Sequence, residues 1–227
     1  MCANCLINKW LYLKKFFNTF CPKVLFNFSP RKNMAKKHWK EQDFGDVHGF
    51  DKYNFNQPKY SILLPEVRFW ASEEDKILSL GCNCGYFLSV LKNDGFKKLT
   101  GIEISPKALE YGKTAFELRD VELFEGSYED TLPQLALENR SFDCVIQEGK
   151  SIELVHPSFD IVKYICKICK RYVILLIWEW TEYTRLWEYE FNCNGFALVK
   201  CIRPYNGEVL VKNPSEVLSL WVFQRIE

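Results

Sequence analysis

The residues that raise the first chemical question are Gly81-Cys82-Asn83-Cys84-Gly85, two thiols set between two glycines. The thiols could be half of a metal site. The glycines could instead turn the chain tightly and bring backbone N–H groups against a ligand. The second reading is the better one, because Cys-x-Cys alone is not a zinc spacing and no histidine or further cysteine lies nearby in sequence. No metal is expected. N–H groups at a helix start favour a carboxylate or phosphate. Glu103 follows Gly81 by 22 residues, the position and chemistry for gripping ribose hydroxyls. Histidine's ordinary pKa lies near neutrality, so His156, in ELVHP, could take a proton from a hydroxyl or amine. A polar loop or helix-capping role is the alternative for the same side chain.

These residues need elements to hold them. KILSL (76–80) is a short apolar run closed by glycine, the pattern of a buried parallel strand. A helix follows over 86–95, then a strand over 97–104. Ser105-Pro106 is a strong helix start, serine as cap and proline at the first position, with the helix running to about 120. VELFEG is a third strand, and the next helix is interrupted or begun near Pro133. SFDCVIQ is a fourth strand, 157–170 a helix, and RYVILLIWEW an apolar and hence central fifth strand. A helix ends at Asn194-Gly195. FALVKCIRPY and VLSLWVFQRI have no helix between them and should pair antiparallel. The expected fold is α/β, a three-layer sandwich around a mostly parallel seven-stranded sheet with an antiparallel terminal hairpin. Ligands bind such sheets outside the carboxyl ends of the strands, where the glycine turn, Glu103 and His156 all fall.

The chain has 227 residues, 48% of them hydrophobic, which suits one folded domain with appendages. Its ten cysteines are scattered through apolar segments and no secretory signal is evident, so a reduced, cytoplasmic setting is expected. Cys166 and Cys169 fall on one face of the predicted helix and read as core. Cys2, Cys5 and Cys21 could form a metal or redox cluster, with a frayed terminus the favoured reading. The net charge of +1 hides an asymmetry. Residues 1–40 hold nine Lys/Arg, no acid and eight aromatics, against 21 basic and 29 acidic side chains in the remainder. Within this arm, 6–20 has helical periodicity, with Leu6, Trp10, Leu13, Phe17 and Phe20 on one face. It is too short and too charged to span a bilayer. Packing on the domain is the favoured role. Peripheral membrane contact through 6–28 and nucleic-acid binding are the alternatives.

Residues from about 58 to 226 resemble class I S-adenosylmethionine-dependent methyltransferases. The resemblance is carried by ILSLGCNCGYFL, LTGIEISPKALEYGK, VELFEGSYEDTLPQL, SFDCVIQEGKSIELVHP and the closing strands. It implies a Rossmann-like methyltransferase domain over 71–227 and S-adenosyl-L-methionine as cofactor. By that likeness Gly81, Cys82, Asn83, Cys84 and Gly85 contact the methionine part, and Glu103 with Ile104 the ribose side. Ser127 and Tyr128 lie beside the adenine, and Gln147 and Glu148 face the sulfonium end. Glu148 and His156 are the candidate catalytic residues. Two departures stand out: the acid expected two residues before the first glycine is Ser79, and the acid often found at the adenine edge is Ser127. Residues 41–70 resemble the variable cap over the substrate, whose walls should also include the 148–157 loop, Trp178, Glu179 and Trp180. The acceptor implied is a hydroxyl or amine of a small molecule or sugar, as in surface-glycan or secondary-metabolite pathways. A catalytically silent binding module, or an RNA-directed enzyme using the basic arm, is the rival.

Overall fold

A computed structural model describes residues 13, 16, 32–46, 49–178, 185–202 and 218–226. Cys2, Cys5, Cys21, Glu179, Trp180 and most of the helix expected over 6–20 lie outside the described residues. Seven strands form one sheet: β1 (Lys76–Leu80), β2 (Lys98–Glu103), β3 (Glu122–Glu125), β4 (Phe142–Gln147), β5 (Cys169–Trp178), β6 (Phe196–Ile202) and β7 (Leu218–Arg225). Their order is β3-β2-β1-β4-β5-β7-β6. The first five are parallel, and β7 runs antiparallel between β5 and β6. The connecting helices are α1 (Lys32–Glu41), α2 (Tyr60–Trp70), α3 (Tyr86–Asn93), α4 (Pro106–Ala115), α5 (Tyr128–Leu137), α6 (Ile161–Ile168) and α7 (Trp187–Cys193).

The three layers follow from strand composition. In β5, Val173 through Ile177 are all fully buried, so both faces of the central strand need a cover. One face packs Val173, Leu175 and Ile177 with Ile161, Ile165 and Phe191. The other packs Ile174 and Leu176 with Leu63, Val67, Phe87 and Leu88. Alternation along one strand thus feeds two cores. The expected fold class is the one observed.

Several boundaries differ from the sequence reading, each for a local reason. α5 begins at Tyr128 and carries Pro133 inside it. Glu129 and Asp130 sit in its first turn, where carboxylates oppose the helix dipole, and Thr131 N–H already reaches Ser127 O at 2.9 Å. α6 starts only after Asp160, whose Oδ1 accepts the Lys163 N–H at 3.2 Å. It stops at Ile168, so Cys169 belongs to β5 and does not share a helix face with Cys166. Both thiols are buried, as expected of core cysteines. α4 ends at Ala115, short of residue 120. The Ser105 cap is as predicted: its side chain accepts the Ala108 N–H, and Pro106 opens the helix.

The register brings the site together. Leu80 of β1 pairs with Ile102 of β2 on one side and Gln147 of β4 on the other. The chain moves outward to β2 and β3, then returns to place β4 against β1's other edge. β1 is therefore a topological switch point, where a crevice opens at the carboxyl ends. Glu103 and Glu148 flank that crevice from the two neighbouring strands.

Candidate functional site

A cavity of about 500 Å³ opens above the carboxyl ends of β1, β2 and β4, within the size range of small-molecule sites. Its floor is the glycine turn. Gly81, Asn83 and Gly85 all have positive φ, at 64°, 49° and 75°, so the turn is a chain of left-handed positions that β-branched side chains avoid. Asn83 tolerates this as asparagine often does, and its Oδ1 accepts the following Cys84 N–H at 2.8 Å. Behind the turn, α4 comes so close that a Cβ on Gly112 would lie 2.0 Å from Cys84 O. Gly112 is thus a positioning residue that periodicity does not reveal.

Glu103 closes one side. Its Oε2 accepts the Asn83 N–H and its Oε1 the Ser105 N–H, each at 2.9 Å. Burial raises its carboxyl above the ordinary range, and the N–H bonds from Ser105 and Asn83 oppose that rise. Each oxygen retains a lone pair for a further donor. Beyond it, Ser127 Oγ donates to Asp130 Oδ2 at 2.6 Å. Lys36 Nζ lies 2.8 Å from Glu129 and 3.5 Å from Ser127 Oγ. Tyr128 reaches back over the floor: its hydroxyl donates to Ser151 Oγ at 2.9 Å and would meet a Cβ on Gly81 at 2.6 Å.

On the other side stands Glu148. Its Oε2 accepts from Tyr60 at 3.0 Å and lies 3.7 Å from Lys59 Nζ. Its Oε1 is 3.4 Å from Ser79 Oγ. Burial raises its carboxyl, and Lys59 is the main opposing influence. Lys59 is itself lowered by burial, against the pull of Glu148.

The 148–157 loop forms a wall and rests on a hidden acid. Glu153 is fully buried. Its Oε1 accepts the Trp178 N–H at 2.7 Å, and its Oε2 accepts Ser151 N–H at 3.0 Å and Gln147 Nε2 at 3.2 Å. The acid thereby ties the loop to β4 and β5. Burial pushes its carboxyl from 4.5 up to about 7. Protonation thus favours the folded chain. That stability is whole below the unfolded value and is lost as pH rises through about 7. The span is worth roughly 3 kcal/mol. Glu153→Gln, which cannot ionise, should gain about that much on the wild type between pH 4 and pH 8 in urea melts. Identical pH dependence of the two proteins would mean that Glu153 does not lie buried beneath the loop.

The expected site residues divide into two groups. Gly81, Asn83, Glu103, Ile104, Ser127, Tyr128, Glu148 and His156 line the cavity, and so does Trp178. Cys82, Cys84, Gly85 and Gln147 do not. Cys82 packs with Leu88 and Leu109, and Cys84 with Phe50 and Ala108. Burial holds the Cys84 thiol up at about 12, so it is not a reactive thiolate. Gln147 supports the loop from below, through Ser151 and Glu153. His156 is buried, and its Nδ1 accepts the Ser158 N–H at 3.2 Å and lies 2.8 Å from Ser158 Oγ. An accepting Nδ1 leaves the neutral ring's proton on Nε2.

Sequence reasoning placed Lys59 and Tyr60 in the cap and Lys150 and Ser151 in the 148–157 wall but gave none of them a role, and it did not single out Lys36. Lys36 and Trp39 line the cavity together with Tyr53, Phe55 and Lys59. Aromatic and basic residues crowded into 36–60 were the available signal. Among the described residues no group of histidine, cysteine and acidic side chains could hold a metal, and no helix is long and apolar enough to cross a membrane.

Residues 77–171 match the family described as a methyltransferase domain, and this span runs from β1 to the start of β5, carrying the glycine turn, Glu103 and Glu148. Over that span the chain is similar to a methyltransferase domain. No curated protein matches the chain at a significant level. Among solved structures, the magnesium protoporphyrin IX methyltransferase of Synechocystis PCC 6803, with bound S-adenosylmethionine, is similar with a TM-score of 0.55 at 12% identity, over 94% of this chain and 95% of that one. The ribosomal protein L11 methylase of Lactobacillus delbrueckii subsp. bulgaricus is similar with a TM-score of 0.56 at 14% identity, over 76% and 81%. Likeness at this identity is likeness of fold. The residues at this site fit S-adenosylmethionine: spare acceptor capacity on Glu103 at the β2 end, and close approach to backbone at Gly81, where Tyr128 and Ser151 leave no room for a Cβ.

Proposed function

We propose that this methyltransferase acts on a hydroxyl or amine of a small molecule or sugar, of the kind found in surface-glycan or secondary-metabolite pathways. The observation that carries the reading is the cavity wall. Trp39, Tyr53, Phe55, Pro58 and Lys59 line the cavity together with the glycine turn, an aromatic lining that suits a compact acceptor more than an extended polymer.

S-adenosylmethionine, when bound, supplies a methyl group already activated on a sulfonium centre. The protein's part is to align the acceptor behind that carbon and keep water away. Trp178, with Lys150 Nζ 5.7 Å from its ring centroid, and the 148–157 loop form the wall nearest that position. His156 stands in that wall. In its Nε2–H form it donates a hydrogen bond and orients an acceptor oxygen; a general base would need that nitrogen bare. His156→Ala should therefore lower turnover about tenfold, the worth of one hydrogen bond, and leave cofactor affinity unchanged. A drop of ~10²–10⁴, with loss of the acid limb of the pH–rate profile, would assign His156 the proton transfer instead. The family-level test is calorimetric titration with S-adenosylmethionine, followed by mass spectrometry of a hydroxyl and amine acceptor panel. No binding at high micromolar cofactor would sink the enzyme reading.

The second reading rests on the arm's nine positive charges and absent acids. An RNA-directed enzyme should bind RNA with an affinity that falls steeply as salt rises, and deletion of residues 1–30 should abolish that binding. The small-molecule reading expects no such salt slope, and filter binding of the two proteins separates them.

A further inference from the structure

The cavity is lined by three lysines and three glutamates, and five of the six are already engaged. Lys36 lies 2.8 Å from Glu129, and Lys59 lies 3.7 Å from Glu148. Glu103 accepts the Asn83 and Ser105 N–H groups. Lys150 is the exception: among the described residues no carboxylate comes within ion-pair reach of it. Its ammonium lies instead over the ring of Trp178, 5.7 Å from the centroid. A ring face attracts a cation but offers it no oxygen, so the ammonium keeps its N–H donors for another partner.

An exposed lysine is ordinarily a solvated one, and its backbone needs no special placement. Here the backbone is placed with some force. Gly149 and Lys150 are both left-handed, at φ 108° and 52°, and the second of these costs a residue that carries a Cβ. A Cβ on Gly149 would lie 3.2 Å from Trp178 Nε1, so the loop is drawn close against the indole. One buried acid holds both sides of that contact. Glu153 accepts the N–H of Ser151, the residue after Lys150, at 3.0 Å, and the N–H of Trp178 at 2.7 Å. The strained turn therefore sets a cation against an aromatic ring at the cavity wall, on the side away from Glu103.

We propose that Lys150, set over Trp178, recognises a carboxylate or phosphate group on the methyl acceptor. The proposal rests on the small-molecule reading above and narrows it to an anionic hydroxy or amino compound, such as a sugar acid or a sugar phosphate. The cofactor works in the same direction. S-adenosylmethionine carries a net positive charge, so the loaded site attracts an anionic acceptor more strongly than the empty one.

The test uses three probes that share a ring and differ in the head group: benzoate, phenyl phosphate and the neutral benzyl alcohol. Each is titrated, by ligand-observed NMR, into the full chain saturated with S-adenosylhomocysteine and into Lys150→Met and Lys150→Arg. The wild type should bind at least one anion about tenfold more tightly than the alcohol, with a preference that shrinks as salt rises. Whichever anion binds better distinguishes a carboxylate acceptor from a phosphate one. Lys150→Met should weaken that anion about tenfold, the scale of a hydrogen bond to a charged group, and the alcohol less than twofold. Lys150→Arg should retain the preference, and both variants should keep their affinity for S-adenosylhomocysteine. Equal binding of the three probes by the wild type, binding of none, or equal losses for all three in Lys150→Met overturns the anion subsite. So does a Lys150→Met protein that has lost S-adenosylhomocysteine. Methylation of neutral hydroxyl or amine acceptors alongside any of these results leaves the small-molecule reading standing. A wild type that does not bind S-adenosylhomocysteine overturns both.

Discussion

Gly81→Val should eliminate cofactor binding in a protein that still folds. The backbone at Gly81 sits at φ 64°, a conformation that costs a β-branched residue more than any other type. The space is also closed. An added Cβ would lie 2.6 Å from Tyr128 Oη and 2.9 Å from Ser151 Cβ, and valine adds two methyl groups beyond that point. Tyr128 and Ser151 bond to each other, so they must separate or the turn must shift. Either outcome disturbs the surface on which the methionine end would rest, and affinity for S-adenosylhomocysteine should fall by more than ~100-fold, about 3 kcal/mol. The cores beneath β1 do not depend on this turn, so cooperative thermal melting should persist. Gly81→Ala should fall between the two proteins, because it meets the same contact with one carbon. If the valine variant binds normally, the glycine turn is not where the cofactor lies.

What could be read from the sequence follows from the range of the forces involved. The five parallel strands and the glycine turn announce themselves locally, by apolar runs such as KILSL and by glycines at strand ends. Glu103 needed only a count along the chain. The Ser105-Pro106 helix start was legible because capping involves three consecutive residues. The missed features are those set by contacts distant in sequence. Pro133 looks like a breaker until Glu129 and Asp130 are seen to open the helix five residues earlier. Cys169 has helical spacing from Cys166, but pairing with Phe142 draws it into β5. Lys59 and Tyr60 meet Glu148 across 88 or more residues of chain, and nothing in HWKEQDFGDVHGFDKYNFNQPKY marks those two above their neighbours. Glu153 is unremarkable as a letter in ELVHP. Only three converging N–H donors show it to be the buried post on which the loop stands.

Glu103→Ala should weaken S-adenosylmethionine by roughly 1.5–3 kcal/mol, about 10–150-fold, the scale of losing hydrogen bonds to a charged group. The geometry gives this residue two tasks, and alanine removes both. Its oxygens hold the Asn83 and Ser105 N–H groups, which fixes the glycine turn against the end of β2, and they retain the lone pairs that would accept ribose hydroxyls. Glu103→Gln separates the tasks. A single amide oxygen can hold one of the two N–H groups, while the amide nitrogen repels the other, so glutamine should recover little of the affinity. The ionised wild type also carries a pH signature. Burial raises the Glu103 carboxyl above the ordinary range, and the protonated acid has lost part of its acceptor capacity. Cofactor affinity should then decline as pH falls through that raised value, at a higher pH than an exposed glutamate would give, and the decline should be absent in Glu103→Gln. Titration of both proteins with S-adenosylhomocysteine from pH 8 down to pH 5 reads this directly. A wild-type affinity that is flat with pH and untouched by the alanine substitution would remove Glu103 from the ribose.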